Sequence, residues 1–145
     1  MWKTCRRMFL VLLGLLCASA ACAGNAESSA IRAVIDAQAS AWNQGNIEGY
    51  MAGYARSPET TFVSGDEVTR GWQTVRARYA KKYDSPEKMG KLTFSEVTIN
   101  LLCDDAAMVL GTWSLERKGD RPHGKFTLLF RKLPEGWRIV QDHTS

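Results

Sequence analysis

The sequence has only two histidines, His123 and His143, and nowhere places histidine, cysteine and carboxylate at the spacing of a zinc or iron site. Cys103 stands beside Asp104 and Asp105 in a turn signal with no histidine near it, so it reads as a half-buried small residue rather than a nucleophile. No Gly-x-Gly-x-x-Gly, P-loop or Gly-x-Ser-x-Gly motif occurs, which leaves a nucleotide cofactor or a serine hydrolase without support. No metal and no cofactor are expected. Nor is there a repeat, a low-complexity tract or a linker rich in Pro, Gly or Ser, so one domain is the working assumption.

Long apolar runs are also scarce. The one from Met8 to Cys17 is too short for a comfortable membrane span, and it follows Lys3, Arg6 and Arg7 and precedes small residues, the pattern of a secretory signal peptide. Ala18-Ser19-Ala20 and Ala21-Cys22-Ala23 both fit the cleavage pattern, so a leader over residues 1–23 and a domain over 24–145 are expected, in the periplasm or secreted. Arg6-Arg7-Met8-Phe9-Leu10 is similar to a twin-arginine signal, but the apolar Val11 to Leu16 favours general secretion. Ser19-Ala20-Ala21-Cys22 lacks the leading Leu of a lipoprotein site, and membrane attachment would require lipidation of Cys22.

An excess of positive charge is missing once the leader is set aside. Lys3, Arg6 and Arg7 account for three of the 19 Lys and Arg, and none of the 15 Asp and Glu lie there, which leaves 16 against 15. A nearly neutral domain gives no electrostatic case for nucleic acid. With Cys5 and Cys17 in the leader and Cys22 at its edge, no disulfide framework remains, and the domain must rely on its hydrophobic core.

What is present is a change of period. Ser28 or Ser29 can cap a helix in which Ile31, Val34, Ile35, Gln38, Ala41 and Trp42 recur at helical spacing up to Gly45. Asn46 offers a cap for a short second helix, Ile47 to Tyr54, and Thr60 to Ser64 follows as a strand with a Ser-Gly-Asp turn. Val75, Tyr79 and Tyr83 lie four apart on a further helix that starts near Trp72. From Lys91 onward the period is two, with strands expected at Leu92–Leu101, Ala106–Arg117, Lys125–Leu133 and Trp137–Thr144 and short hairpin turns between them. Helices first and an antiparallel sheet afterwards is an α+β pattern.

The last ten residues, Gly136 to Ser145, carry the clearest functional signal. A regular strand puts Trp137, Ile139, Gln141 and His143 on one face and Arg138, Val140 and Asp142 on the other. A face that starts Trp, Ile and ends Gln, His reads as the floor of a core opening into a polar pocket.

The succession Ala41-Trp42-Asn43-Gln44-Gly45-Asn46, Tyr50-Met51, Thr69-Arg70-Gly71-Trp72, Arg78-Tyr79, Met89-Gly90, Gly124-Lys125-Phe126-Thr127-Leu128 and the ending Gly136 to Ser145 resembles the SnoaL-like branch of the nuclear transport factor 2-like superfamily. Within that branch the nearest resemblance is to the exported proteins called domain of unknown function 4440. The resemblance implies a cone-shaped, cystatin-like roll: a curved antiparallel sheet around a long N-terminal helix, a pocket at the open end and often a dimer through the sheet. Ketosteroid isomerase, polyketide cyclases and scytalone dehydratase share this fold with many members that only bind or associate, so the fold does not by itself assign an activity.

His143 is the first candidate acid or base, because its ordinary pKa lies near working pH. The competing account is that it closes the sheet by hydrogen bonding. Tyr54 and Tyr79, with Tyr50 and Tyr83, could donate to a developing enolate, although helical spacing equally suits core packing. Trp42, Trp72 and Trp113 could line a ligand site together with Gln141 and Asp142, or could serve as wall. On the third expected strand, Val109, Gly111, Trp113, Leu115 and Arg117 share a face, so Arg117 could present a cation at the pocket rim, but the polar turn that follows makes it read as a solvated hairpin end. Glu96 and Glu116 have no second carboxylate at a convincing position, so the base, Tyr and acid set of ketosteroid isomerase is not displayed.

Two readings follow. One is an exported binder of a small, largely apolar organic molecule, with His143, Tyr54 and Tyr79 acting in an isomerisation, cyclisation or dehydration next to a carbonyl. The other is an association module that dimerises through the outer sheet face, with Ser114, Glu116, Thr127 and Arg131, and whose pocket is filled by its own side chains. A cone packed shut by Trp42, Trp72, Tyr79 and Trp113 would support association, and an empty cavity of several hundred cubic ångströms, about the size of small-molecule sites, would support binding.

Overall fold

Ile31, Ile35, Gln38 and Trp42 fall on one stripe of helix α1 (Arg6–Asn43) and are all buried, because this stripe lies on the concave face of a sheet. The computed structural model describes the backbone of residues 6–145 and side chains from Gly24 onward; the leader expected over residues 1–23 lies outside the residues described in full. Within the described span no helix is long and apolar enough to cross a membrane. Neither Ser28 nor Ser29 caps α1, which is already helical there, and the Ser29 hydroxyl instead donates to Asn25 O one turn back at 2.8 Å.

Short elements follow. Asn46 caps α2 (Ile47–Met51) by accepting from Gly49 N at 2.8 Å. The helix ends before the expected Tyr54, because the chain there pairs with the last strand: Ala55 N donates to Ile139 O and Ile139 N to Gly53 O, both at 2.9 Å. A pair of strands, β1 (Thr61–Ser64) and β2 (Glu67–Arg70), forms a hairpin over Gly65-Asp66. Helix α3 (Trp72–Lys82) buries Trp72, Val75 and Tyr79, and α4 (Pro86–Met89) is a single turn capped by Ser85. The second strand of the hairpin and α4 are too short to show a period in the sequence.

Four long strands complete the molecule: β3 (Lys91–Cys103), β4 (Ala106–Glu116), β5 (His123–Leu133) and β6 (Gly136–Thr144). The sheet order is β2-β1-β6-β5-β4-β3, antiparallel throughout except for the β1–β6 pair. Bulges between Ser95 and Thr98 on β3 and opposite Leu129 and Phe130 on β5 bend the sheet around α1. The expected α+β class holds.

Side chains fix the helix against the sheet at both ends. Asn43 acts as a strand partner, accepting from Leu92 N at 2.7 Å and donating to Leu92 O at 3.0 Å, while Trp42 Nε1 donates to Met89 O at 3.1 Å. At the other end Glu27 receives Trp137 Nε1 and Lys132 Nζ, each at 2.6 Å. Between these anchors the inner faces of β4, β5 and β6 bury Val109, Phe130 and Ile139 completely, at roughly 1.5–3 kcal/mol for each such side chain.

Candidate functional site

Where α1, α3 and the inner face of the sheet diverge, the core does not close. A cavity of about 110 Å³ remains, walled by Trp42 from α1, Phe62 from β1, Phe94 from β3, Trp113 and Leu115 from β4 and Phe126 and Leu128 from β5. It is smaller than the roughly 300–1,000 Å³ of common ligand pockets. It nevertheless approaches the roughly 150 Å³ apolar cavity that accepts one benzene. The aromatic residues therefore leave a space on the scale of a single ring, short of the several hundred cubic ångströms that would separate a binding site from a filled cone outright.

One carboxyl stands in this apolar surrounding. Asp142 is 3 % exposed and lines the cavity. Its position comes from β6: Ile139 pairs with Phe130 and Gln141 with Leu129, so Val140 is an extra residue opposite no partner. Trp137 and Ile139 point inward, then the bulge advances the alternation by one, and Asp142 is buried while Gln141 and His143 are exposed. This corrects the face expected for a regular strand. Gln141 and His143, expected at the pocket, face away from it, and Asp142, expected opposite, faces in.

The Tyr54 hydroxyl donates to Asp142 Oδ2 at 2.6 Å and the Thr144 hydroxyl to Oδ1 at 2.7 Å. Loss of water around Asp142 pushes its carboxyl up to about 6; the two hydroxyls, and next the charge of His143, pull in the opposite direction but do not offset the burial. The same loss of water holds Tyr50, Tyr54 and Tyr79 above the ordinary phenol value, and the Asp142 charge adds to it in each. The phenols therefore stay protonated while Asp142 changes charge near neutrality.

The three phenols are not equivalent. Tyr50 and Tyr79 place their hydroxyls 3.5 Å apart, and only one of them can donate to the other. With the Tyr54 hydrogen given to Asp142, the second hydroxyl hydrogen of the Tyr50 and Tyr79 pair has the Tyr54 oxygen beside it as an acceptor, so the three phenols form one network at the cavity wall. Edge contacts hold these rings: Trp42 lies 5.1 Å from Tyr50 and 6.1 Å from Tyr79, centroid to centroid. Gln38 donates from Nε2 to Tyr50 O at 3.1 Å, which ties α2 to α1 beside the cavity.

Toward solvent the lining turns cationic. Arg78, which pairs with Glu67 and donates to Thr69 Oγ1 at 3.2 Å, and the exposed Lys82 both border the cavity. Arg117 does not: it binds Asp120 at 2.8 Å and Lys88 O at 3.0 Å, a hairpin end as expected. Glu96 lies on the outer side with Lys125 and Thr112. Cys103 is exposed rather than half-buried, its thiol donating to Asp105 Oδ1 at 3.1 Å, because β3 carries it past the edge of the core. Among the described residues no three His, Cys, Asp or Glu side chains gather as a metal site.

Of the residues singled out in the sequence, Tyr50, Tyr54, Tyr79, Tyr83, Trp42, Trp113 and Asp142 border the cavity. Trp72 does not; it is buried under the Arg56 guanidinium, 4.7 Å from the ring centre, and donates to Met51 O at 3.0 Å. Gln38, Arg78, Lys82 and Thr144 were not picked out. Three of these had a signal: a glutamine on the apolar stripe of α1, and two cations four apart on either side of Tyr79.

The family model described as SnoaL-like domain matches residues 31–145. No curated protein matches the sequence. A nuclear transport factor 2-like protein of unknown function from Shewanella oneidensis is 37 % identical, with 81 % of this chain and 98 % of that one covered at a TM-score of 0.78. A protein of the same type with a cystatin-like fold from Novosphingobium aromaticivorans is 16 % identical, over 87 % of this chain and 85 % of that one, with a TM-score of 0.72. A proposed scytalone dehydratase from the same organism shares 12 % identity over 85 % and 87 % of the two chains, with a TM-score of 0.70. The match over residues 31–145 and the likeness to the Shewanella protein agree with the cone described above, and the chain belongs to the SnoaL-like domain family.

Proposed function

We propose that the protein binds a small, largely apolar carbonyl compound in the cone and moves a proton next to that carbonyl, with Asp142 as the acid-base group. The observation that carries this reading is Asp142 itself: a buried carboxyl at the end of an apolar cavity, with its pKa raised to about 6. Ionised, Asp142 accepts a proton from the carbon beside the carbonyl; the electron pair moves to the carbonyl oxygen, and a hydroxyl of the Tyr50 and Tyr79 pair turns its hydrogen to that oxygen and stabilises it. Returning the proton to a different carbon gives isomerisation, and passing it to a departing hydroxyl gives dehydration. Tyr54 fixes the carboxyl and Thr144 holds its other oxygen. Membership in the group called domain of unknown function 4440, and export through a leader over residues 1–23, are part of the same reading.

The test is deuteration of cyclohexanone beside its carbonyl in D2O, followed by proton NMR. The expected result is exchange above buffer that rises as pH passes about 6 and falls to the buffer rate in Asp142→Asn. Exchange unchanged in that variant would sink the assignment.

A second reading has its own support. On β4, Met108 and Leu110 face outward and are 42 % and 50 % exposed, beside the outward Ser114 and Glu116. Such a face suits a sheet-to-sheet homodimer. Sedimentation of the wild type against Leu110→Lys tests it: a dimer lost in the variant supports association, and a wild-type monomer overturns it.

A further inference from the structure

We propose that the ligand is an anion whose carboxylate sits at Lys82 and Arg78 at the mouth of the cavity, while its apolar body reaches inward toward Asp142. This rests on the cavity being a ligand site, as argued above.

Arg78 and Lys82 lie four residues apart on α3, hence on one helical face, and Tyr79 between them also borders the cavity. The two cations differ in their freedom. Arg78 is half-buried, paired with Glu67, bonded to Thr69 and set 5.3 Å from the centre of the Phe62 ring. Its position is thereby fixed, and its planar group has more donors than these contacts use. Lys82 pairs with no carboxylate among the described residues and lies 5.4 Å from the Tyr83 ring. The mouth thus carries one neutralised, oriented cation and one cation without a counter-charge.

The far end has the opposite character. Among the described residues Asp142 is the only acidic side chain that borders the cavity, and it is buried where Lys82 is exposed; Phe62, its partner in the β1–β6 register, presents an apolar ring to the Arg78 guanidinium, and Phe94, Leu92, Trp113, Phe126 and Leu128 supply further apolar wall. An anion that entered carboxylate first would bring two like charges together where little water screens them. One that entered ring first would leave its carboxylate on Lys82 and its ring on the aromatic wall. Charge at the mouth and charge at the floor therefore select the same orientation, which places the reacting carbon at the end of the ligand remote from its carboxylate.

Benzoate and benzamide test this, as probes of one ring size that differ in charge, titrated at pH 7.5 against the fluorescence of the full chain, whose Trp42 and Trp113 border the cavity. The expected result is that benzoate binds about tenfold tighter than benzamide at low salt, the scale of a hydrogen bond to a charged group. Lys82→Gln should abolish the preference and leave benzamide binding intact, Lys82→Arg should keep it, and Lys81→Gln, an equal change of net charge one residue away and off the cavity, should also keep it. Equal binding of the two rings, or a Lys82→Gln variant that loses both alike, overturns the proposal and leaves the pocket reading standing. Failure of both rings to bind overturns the pocket reading and this proposal together.

Discussion

The hydroxyl of Tyr54 donates to Asp142 Oδ2 at 2.6 Å across 88 positions of sequence, and this contact joins the turn after α2 to the end of the last strand. It also holds the only acidic side chain that borders the cavity among the described residues. Stability and chemistry therefore meet at the same atoms.

Asp142 should make the protein less stable as pH rises. Its folded-state value of about 6 lies above the ordinary 3.8, so between these values the folded chain keeps a proton that the unfolded chain has released. The stability from the neutral form is complete below the ordinary value and is lost as pH climbs through about 6, on the order of 3 kcal/mol for a shift of this size. Asp142→Asn is neutral at every pH. Thermal melting from pH 4 to 8 should show the wild type falling relative to the variant, and parallel curves would remove Asp142 as the cause.

Tyr54→Phe takes away a hydrogen bond that lowers the Asp142 value, so the carboxyl should titrate higher than in the wild type. Carbon-13 NMR of the Asp carboxyl resonances reads this directly. Folding should weaken by about 1–3 kcal/mol because a buried acceptor loses its donor. A titration that stays put or moves down would mean that the hydroxyl does not face the carboxylate in solution.

Gly111 has no room for a side chain. A Cβ there would lie 2.3 Å from Phe126 Cζ, since the two residues face each other in the β4–β5 register and the ring covers the glycine. Gly111→Ala should push the Phe126 ring into the cavity, cost about 1–3 kcal/mol and weaken benzamide binding. Adding Phe126→Leu, which lacks the clashing atom, should recover part of both losses. Unaltered melting and binding in the single variant would show that the ring moves freely.

His143→Ala should leave both folding and cyclohexanone exchange close to wild type, within about 0.5 kcal/mol in stability, because the ring is exposed on the outer side of β6. A drop in exchange of about tenfold or more, a barrier change of roughly 1.4 kcal/mol, would return the histidine to the chemistry.

The sequence by itself determined the class of fold. The stripe Ile31, Ile35, Gln38, Trp42 and the two-residue period from Lys91 onward report which faces are apolar, and apolar faces dictate a helix laid on a sheet. It also placed Tyr54, Tyr79, Trp42 and Trp113 among candidates that do border the cavity. The direction of the last strand's side chains was decided elsewhere. Val140 is an extra residue only because Ile139 pairs with Phe130 on one side and with Gly53 and Ala55 on the other, and those partners lie far away in the chain. A local period assumes an unbroken ladder, so it assigns Gln141 and His143 to the interior. Tertiary pairing breaks the ladder, turns Asp142 inward instead, and thereby decides which ionisable group meets the cavity.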